Sequence, residues 1–314
     1  LNNRRELIVE AVKAKDAVAA YFPVLNTSFR PLAREFLKDA DAPFTACYRV
    51  AGSTFRLLGN KPNSAFADGL PKSAEALRDV TCLILGAHNG TLLSPAESLV
   101  LENYVARGGT LVCLAGTDSF GKIPPDSPLV RLLPVVTLDD SFRAGSYRVV
   151  PDPAGDAALA DQVAQIIADN KSAPELALGA INQVKDLKAS AKVVLWAEGE
   201  GRLPLLVWHP YGRGKVVALL SNGFNQWGAP DRRDENFGRF WRQLVAFSKN
   251  QDEDADLLKV TLSKTELAAD EPVTVTALAR HPAGTNQAVT VKADLFLAAS
   301  DTPLRSFALD RKAD

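Results

Sequence analysis

The sequence predicts an α/β fold, and three observations carry that expectation. Val80 to Leu85 and Thr110 to Ala115 are nearly continuous apolar runs, the pattern of strands buried on both faces of a parallel sheet. Between them, Ser94, Pro95 and Glu97 supply an N-cap, a proline at the first helical position and a capping-box acid, and Gly108 and Gly109 stop the helix. Strand, helix and strand make one βαβ unit with a right-handed crossover. Finally, Phe237 to Phe247 spreads Phe240, Trp241, Leu244, Val245 and Phe247 over a broad apolar surface, as a closing helix on a sheet requires.

Composition bounds the rest. The 314 residues are 46% hydrophobic and 23% charged, ordinary globular values. On a prior of ~100 to 200 residues per domain, such a length suggests about two domains. With 36 Lys and Arg against 37 Asp and Glu the net charge is -1. No overall field draws the molecule to phosphate backbones or anionic lipid, so nucleic acid is not expected as a partner. No apolar run approaches the ~20 residues of a membrane-spanning helix, and Leu1 to Glu6 is polar and charged rather than signal-like. Methionine is absent, and the sequence reads as a stretch of a longer protein.

The elements follow in order. Arg5 to Val12 has a strand-like apolar core after Asn2 and Asn3, so residues 1–13 are expected to be a strand belonging to a preceding β domain. Asp16 to Phe22 is a second strand ended by Pro23, a helix runs from about Pro31 to Asp39, and Phe44 to Val50 is a strand. The stretch through Gly52, Gly59, Pro62 and Gly69 reads as an excursion rather than core. After the βαβ unit come helices over Ser127 to Leu133, ended by Pro134, and over Asp156 to Ala168, with loops between and after them. Val193 to Ala197, Leu203 to Trp208 and Lys215 to Leu220 are strands, the last two a hairpin turning through His209 to Gly214. The α/β domain is thus expected over residues 14–250. An acidic linker, 251–256, precedes period-two alternation (Leu258, Val260, Leu262; Val273, Val275, Ala277; Val289 to Leu297), read as a partial β-sandwich over 257–314.

Chemistry-bearing residues are sparse. Cys47, Cys82 and Cys113 each lie in an apolar strand context and read as buried thiols, with no CxxC spacing for a thiolate metal site. His88, His209 and His281 are scattered without HxH or HExxH spacing. Neither a metal nor a cofactor is expected. Arg232, Arg233, Arg239 and Arg242 near Trp227 and Trp241 are interleaved with Asp231, Asp234 and Glu235, the pattern of a solvated, self-paired face.

Asn2 to Arg5, Phe29 to Leu37, Leu83 to Gly86 with Leu93 to Pro95, Tyr104 to Gly109, Ser127 to Val135, Tyr211 to Val216 and Phe240 to Val245 form an ordered set of segments. Together they resemble the class I glutamine-amidotransferase-like domains of large bacterial membrane-anchored proteins. The resemblance spans roughly residues 1 to 250 and rests on order and spacing rather than one diagnostic motif. It implies a flavodoxin-like sheet with helices on both faces and a site at the carboxyl ends of the strands. It also implies a C-terminal β-sandwich of Ig-like type and a place outside the cytosol, in the bacterial cell envelope. The expected partners are other domains or subunits of an envelope assembly, with a small-molecule ligand left open.

Active members of that group carry their nucleophile as Gly-x-Cys-x-Gly on a strained strand-to-helix elbow. Here the matching stretch is Leu111 to Thr117, and the nucleophile position falls on or next to Ala115. Cys113, two residues earlier, and Ser119 are the weak nucleophile candidates. His209, followed by Pro210 and Tyr211, stands where the family has His-Pro-Glu, with Tyr replacing the orienting carboxylate; a loop role competes. No catalytic set is therefore assigned, and His88, Asn89, Thr117, Asp118 and Ser119 are taken as ligand-binding candidates. The leading expectation is a degenerate, non-catalytic binding or assembly module. The alternatives are an active amidase or hydrolase working through Cys113, or Ser119 with His209, and a carbohydrate- or peptide-binding module that uses the sandwich.

Overall fold

The structure is a computed structural model describing residues 17–87, 93–117, 119–121, 123, 126–154, 157–169, 177–228 and 235–249, together with strands within 258–308. The chain divides into two compact units, one of them Lys15–Gln251. The strand expected over Arg5 to Val12 lies outside the described residues.

In chain order the α/β unit contains β1 (Ala17–Phe22), α1 (Phe29–Phe36), β2 (Phe44–Ala51), β3 (Thr54–Leu58), β4 (Val80–Leu85), α2 (Pro95–Ala106), β5 (Thr110–Leu114) and α3 (Pro128–Leu132). Then follow β6 (Val135–Val136), β7 (Phe142–Pro151), α4 (Ala157–Asp169), β8 (Leu178–Asn182), β9 (Asp186–Leu187), β10 (Lys192–Glu198), β11 (Arg202–Tyr211), β12 (Gly214–Leu219) and α5 (Glu235–Lys249). Ten strands form one sheet in the order β3-β2-β1-β4-β5-β12-β11-β10-β7-β8. The five strands from β2 to β12 are mutually parallel, whereas β3 and the run from β11 to β8 are antiparallel to their neighbours.

The βαβ unit forms as its residues dictate. Every residue of β4 and β5 is buried, because helices lie over both faces. Thr110 Oγ1 donates to the Ser248 carbonyl of α5, 3.3 Å away. Cys113, three residues on and so on the opposite face, lies beside Leu133 just past α3. The Ser94 hydroxyl accepts from the Glu97 N–H at 3.2 Å while the Glu97 carboxylate accepts the Ser94 N–H at 2.8 Å, a complete capping box. Tyr104, buried on α2, ties the unit together by donating to the carbonyls of Thr81 and Thr110 at 3.0 and 3.2 Å.

Three strands of the ten-stranded sheet depart from the sequence expectation, as does the short β6-β9 pair. Thr54–Leu58 is an edge strand rather than pure excursion, half-exposed and paired with β2, and the stretch that follows it buries Phe66, Leu70 and Leu77. β7 and β8 occupy what reads as loop. β7 has only Tyr147 and Val149 buried, so it lacks the apolar run that marks a core strand. Their half of the sheet curls back: the Asn182 N–H at the end of β8 donates to Leu220 O at 2.7 Å, and Ser221 Oγ donates to Ala180 O at 2.6 Å. The far end of the sheet thereby returns to the carboxyl end of β12.

In the C-terminal unit, β13 (Leu258–Leu262) pairs with β14 (Val275–Ala279) and β15 (Lys292–Phe296) with β16 (Pro303–Ala308), both antiparallel.

Candidate functional site

The carboxyl end of β5 is where the resemblance places the reacting group. Ala115 is 1% exposed and its N–H donates to Leu219 O at 2.9 Å. The next N–H, of Gly116, donates to Asn182 Oδ1 at 3.1 Å. The Asn182 amide nitrogen in turn donates to Gly116 O (3.0 Å), Ser119 O (3.0 Å) and Ser141 Oγ (2.9 Å). Ser141 Oγ donates to Ser119 O at 2.9 Å, and Ser119 N–H closes the turn on Gly116 O at 3.0 Å. Asn182 is 1% exposed. One buried side chain from β8 thus holds the backbone of the turn after β5, including an N–H of the kind that an oxyanion hole would leave open.

The turn also lacks the strain of a nucleophile elbow at the expected position. Among the described residues, Phe120 is the non-glycine residue with positive φ, at 59°; Ala115 and Cys113 are not in that region. Space is equally restricted. The cavity bordered by Cys113, Ser119, Phe120 and Leu133 measures about 10 Å³, at the lower limit for a single water. A Cβ on Gly116 would stand 2.5 Å from the Ala87 Cβ, so the ends of β4 and β5 need glycine to approach this closely.

The candidate residues divide clearly. Burial pushes the Cys113 thiol up to about 12, the opposite of the electropositive, partly exposed setting that activates a cysteine. Cys82 is likewise pushed up to about 12 and Cys47 to about 11, and all three are free thiols. Ser119 is 2% exposed and its hydroxyl donates to Leu114 O at 3.0 Å. Thr117 is exposed at the strand end. His88, Asn89 and Asp118 lie outside the described residues, as does His281.

His209 is not a loop residue: it sits within β11, 4% exposed. Its Nε2 is 2.6 Å from Leu132 O and must carry the proton, leaving Nδ1 to accept from Ser190 Oγ at 3.2 Å. Burial lowers its pKa to about 4, so the ring is neutral at pH 7. Register settles the distance to the nucleophile candidates. His209 lies opposite Val216, which lies opposite Leu111 near the amino end of β5. At ~3.3 Å per residue and ~4.8 Å per strand, His209 is roughly 16 Å from Ala115 and 12 Å from Cys113, Cα to Cα. Neither the Cys113–His209 nor the Ser119–His209 pair is assembled. Tyr211 donates to Glu102 Oε1 at 2.5 Å, and Arg131 also holds that carboxylate, at 2.8 Å.

Two of the four arginines, Arg239 and Arg242, pair outside the self-paired face expected of the cluster. Arg239 pairs with Asp169 of α4 and Arg242 with Glu35 of α1, each at 2.7 Å, so both bind acids distant in sequence. Asp231, Arg232, Arg233 and Asp234 lie outside the described residues. Among the described residues, no group of three or more His, Cys, Asp or Glu is placed to hold a metal ion, and no helix is long and apolar enough to cross a membrane. Sequence reasoning missed Asn182 and Ser141. The available signal was the apolar run Leu176 to Ile181 ending in Asn182, which marks a strand but does not say where its last side chain lands.

The model of a family described as putative glutamine amidotransferase, GATase1-like, matches residues 59–249, more than half of the chain. The chain belongs to that family. Two solved structures share the fold. The cytoplasmic protein STM3548 from Salmonella typhimurium is 16% identical, over 74% of this chain and 98% of its own, with a TM-score of 0.50. The cytoplasmic protein STM1381 from Salmonella typhimurium LT2 is 17% identical, over 74% and 99%, with a TM-score of 0.50. No curated protein matches the chain.

Proposed function

We propose that this amidotransferase-like domain is non-catalytic and serves as a binding or assembly module. The observation that carries the reading is the Asn182 amide, which bonds Gly116 N–H, Gly116 O and Ser119 O at the one turn where a family nucleophile would stand. Three further facts support it. The matching position falls on or next to Ala115, the neighbouring thiol of Cys113 is raised to about 12, and His209 lies near the opposite end of β5. The order β2-β1-β4-β5-β12 supports a flavodoxin-like reading of the parallel half. The alternating strands beyond residue 257 fit an Ig-like neighbour in a multidomain envelope protein, with sister domains as partners; fractionation of the expressing cells tests that placement.

Two measurements test the chemistry. Purified protein incubated with glutamine is expected to release no ammonia, and Cys113 is expected to resist iodoacetamide at pH 8 until the chain is denatured. With a pKa of about 12, roughly one thiol in ten thousand is ionised there. Ammonia release abolished by Cys113→Ser would overturn the proposal.

A further inference from the structure

A second place in the fold has the attributes of a ligand site, at the end of the parallel strands away from Ala115. A cavity of about 540 Å³ opens at the amino ends of β1 and β2, between the last turn of α1 and the second half of α5. That volume lies within the range of small-molecule sites, ~300–1,000 Å³. Its walls are apolar: Val18 and Phe44 from the strand starts, Phe36 from α1, and Val245 and Ala246 from α5.

The charges at its edge are not balanced in their hydrogen bonding. Glu35 is 7% exposed, and its two oxygens accept from Arg242 Nη1 and Lys38 Nζ, each at 2.7 Å. The carboxylate lies against the backbone of α5 at Gly238, where any Cβ would overlap it. Asp39 is committed locally, its Oδ1 accepting the N–H groups of Asp41 and Ala42 at 3.0 and 3.2 Å. Both Glu35 oxygens are therefore engaged, and Asp39 has one oxygen held by its own turn. Arg242 is different: its side chain is 62% exposed, and among the described residues it donates to Glu35 alone, through one nitrogen. A guanidinium has five N–H donors in a planar fork. Glu35 fixes one prong and leaves the remaining donors facing solvent beside an apolar floor.

We propose that this cavity binds a small amphipathic organic anion, its apolar body between Phe36 and Val245 and its carboxylate or sulfonate on Arg242. The site is independent of the non-catalytic reading: it shares no residue with the turn after β5, and activity there would leave it standing.

The test titrates the full chain with 1-anilinonaphthalene-8-sulfonate and, in parallel, with N-phenyl-1-naphthylamine, the same aromatic body without the sulfonate. Saturable binding of both is expected. Ala246→Trp, which fills the cavity, should weaken both at least about tenfold. Arg242→Gln should weaken the sulfonate about tenfold, the size of one lost charge-assisted bond, and leave the neutral probe within about twofold. Val245→Trp replaces Ala246→Trp if the latter shifts the urea midpoint. Sulfonate binding that ignores both the filling substitution and Arg242→Gln, or a neutral probe weakened equally by Arg242→Gln, overturns the proposal.

Discussion

Replacing Asn182 is the sharpest perturbation available, because one amide closes the turn after β5. Asn182→Ala removes one acceptor and one amide group, and leaves Gly116 N–H, Gly116 O, Ser119 O and Ser141 Oγ short of a partner. Ser119 O keeps Ser141 Oγ, and Gly116 O keeps Ser119 N–H, both donating as before, so the main loss is the Gly116 N–H and the shared amide donors. At ~1–3 kcal/mol for a buried group left unsatisfied and ~1 kcal/mol for each bond otherwise lost, the expected destabilisation is about 3–5 kcal/mol. In a domain of this size that lowers Tm by roughly 6–20 °C. Asn182→Asp is more informative, since it keeps the shape and places a carboxylate against three oxygens. Its folded pKa must rise above the unfolded ~3.9, so its stability is fullest below that value and is lost as pH rises through the folded pKa. Urea unfolding at pH 4 and pH 7 reads both effects. A loss under about 1 kcal/mol for Ala, or an Asp variant equal to Ala at both pH values, refutes the assignment of Asn182 as the closure of this turn.

Other expectations rest on single features. His209, pushed down to about 4 by burial, contributes stability that is present above its unfolded pKa of ~6.5 and is lost as pH falls through about 4. The limit is on the order of 3 kcal/mol; His209→Gln should flatten that part of the urea-midpoint curve between pH 6.5 and 4, and an unchanged slope counts against it. Gly214→Ala would press a Cβ into the carbonyls of Gly109 and Val105, backbone that cannot swing aside, so a loss of about 3 kcal/mol or failure to fold is expected by circular dichroism. Ser94→Ala removes half of the α2 capping box and should cost about 1 kcal/mol in urea unfolding. Tyr104→Phe leaves the Thr81 and Thr110 carbonyls without that hydroxyl, for about 1–2 kcal/mol by the same measurement.

The parallel half was legible because its signals are local. β4 and β5 announce themselves as short apolar runs, Ser94 and Glu97 mark the start of α2 within four residues, and Tyr211 to Lys215 carries its own turn chemistry. The extent of β11 was not legible: Pro210 and Tyr211 look like turn, yet pairing with β12 continues as far as Tyr211 opposite Gly214. β3 and β7 were missed for a related reason. β3 is an edge strand, and β7, though paired on both sides, has most of its residues exposed or half-buried, so few residues of either need be apolar.

What the amino-acid sequence settled alone was the class of fold and the absence of a thiol at position 115, since residue type and short-range periodicity need no partner to be read. What only the tertiary structure decided was the condition of the turn beyond that alanine. Asn182 is 66 residues from Gly116 along the chain, and the antiparallel strands must curl back before its amide can reach the turn. His209 likewise became a buried strand residue by pairing, which places it near the far end of β5 from Ala115. Side chains brought together by strand pairing across such separations leave no mark in any local window of sequence.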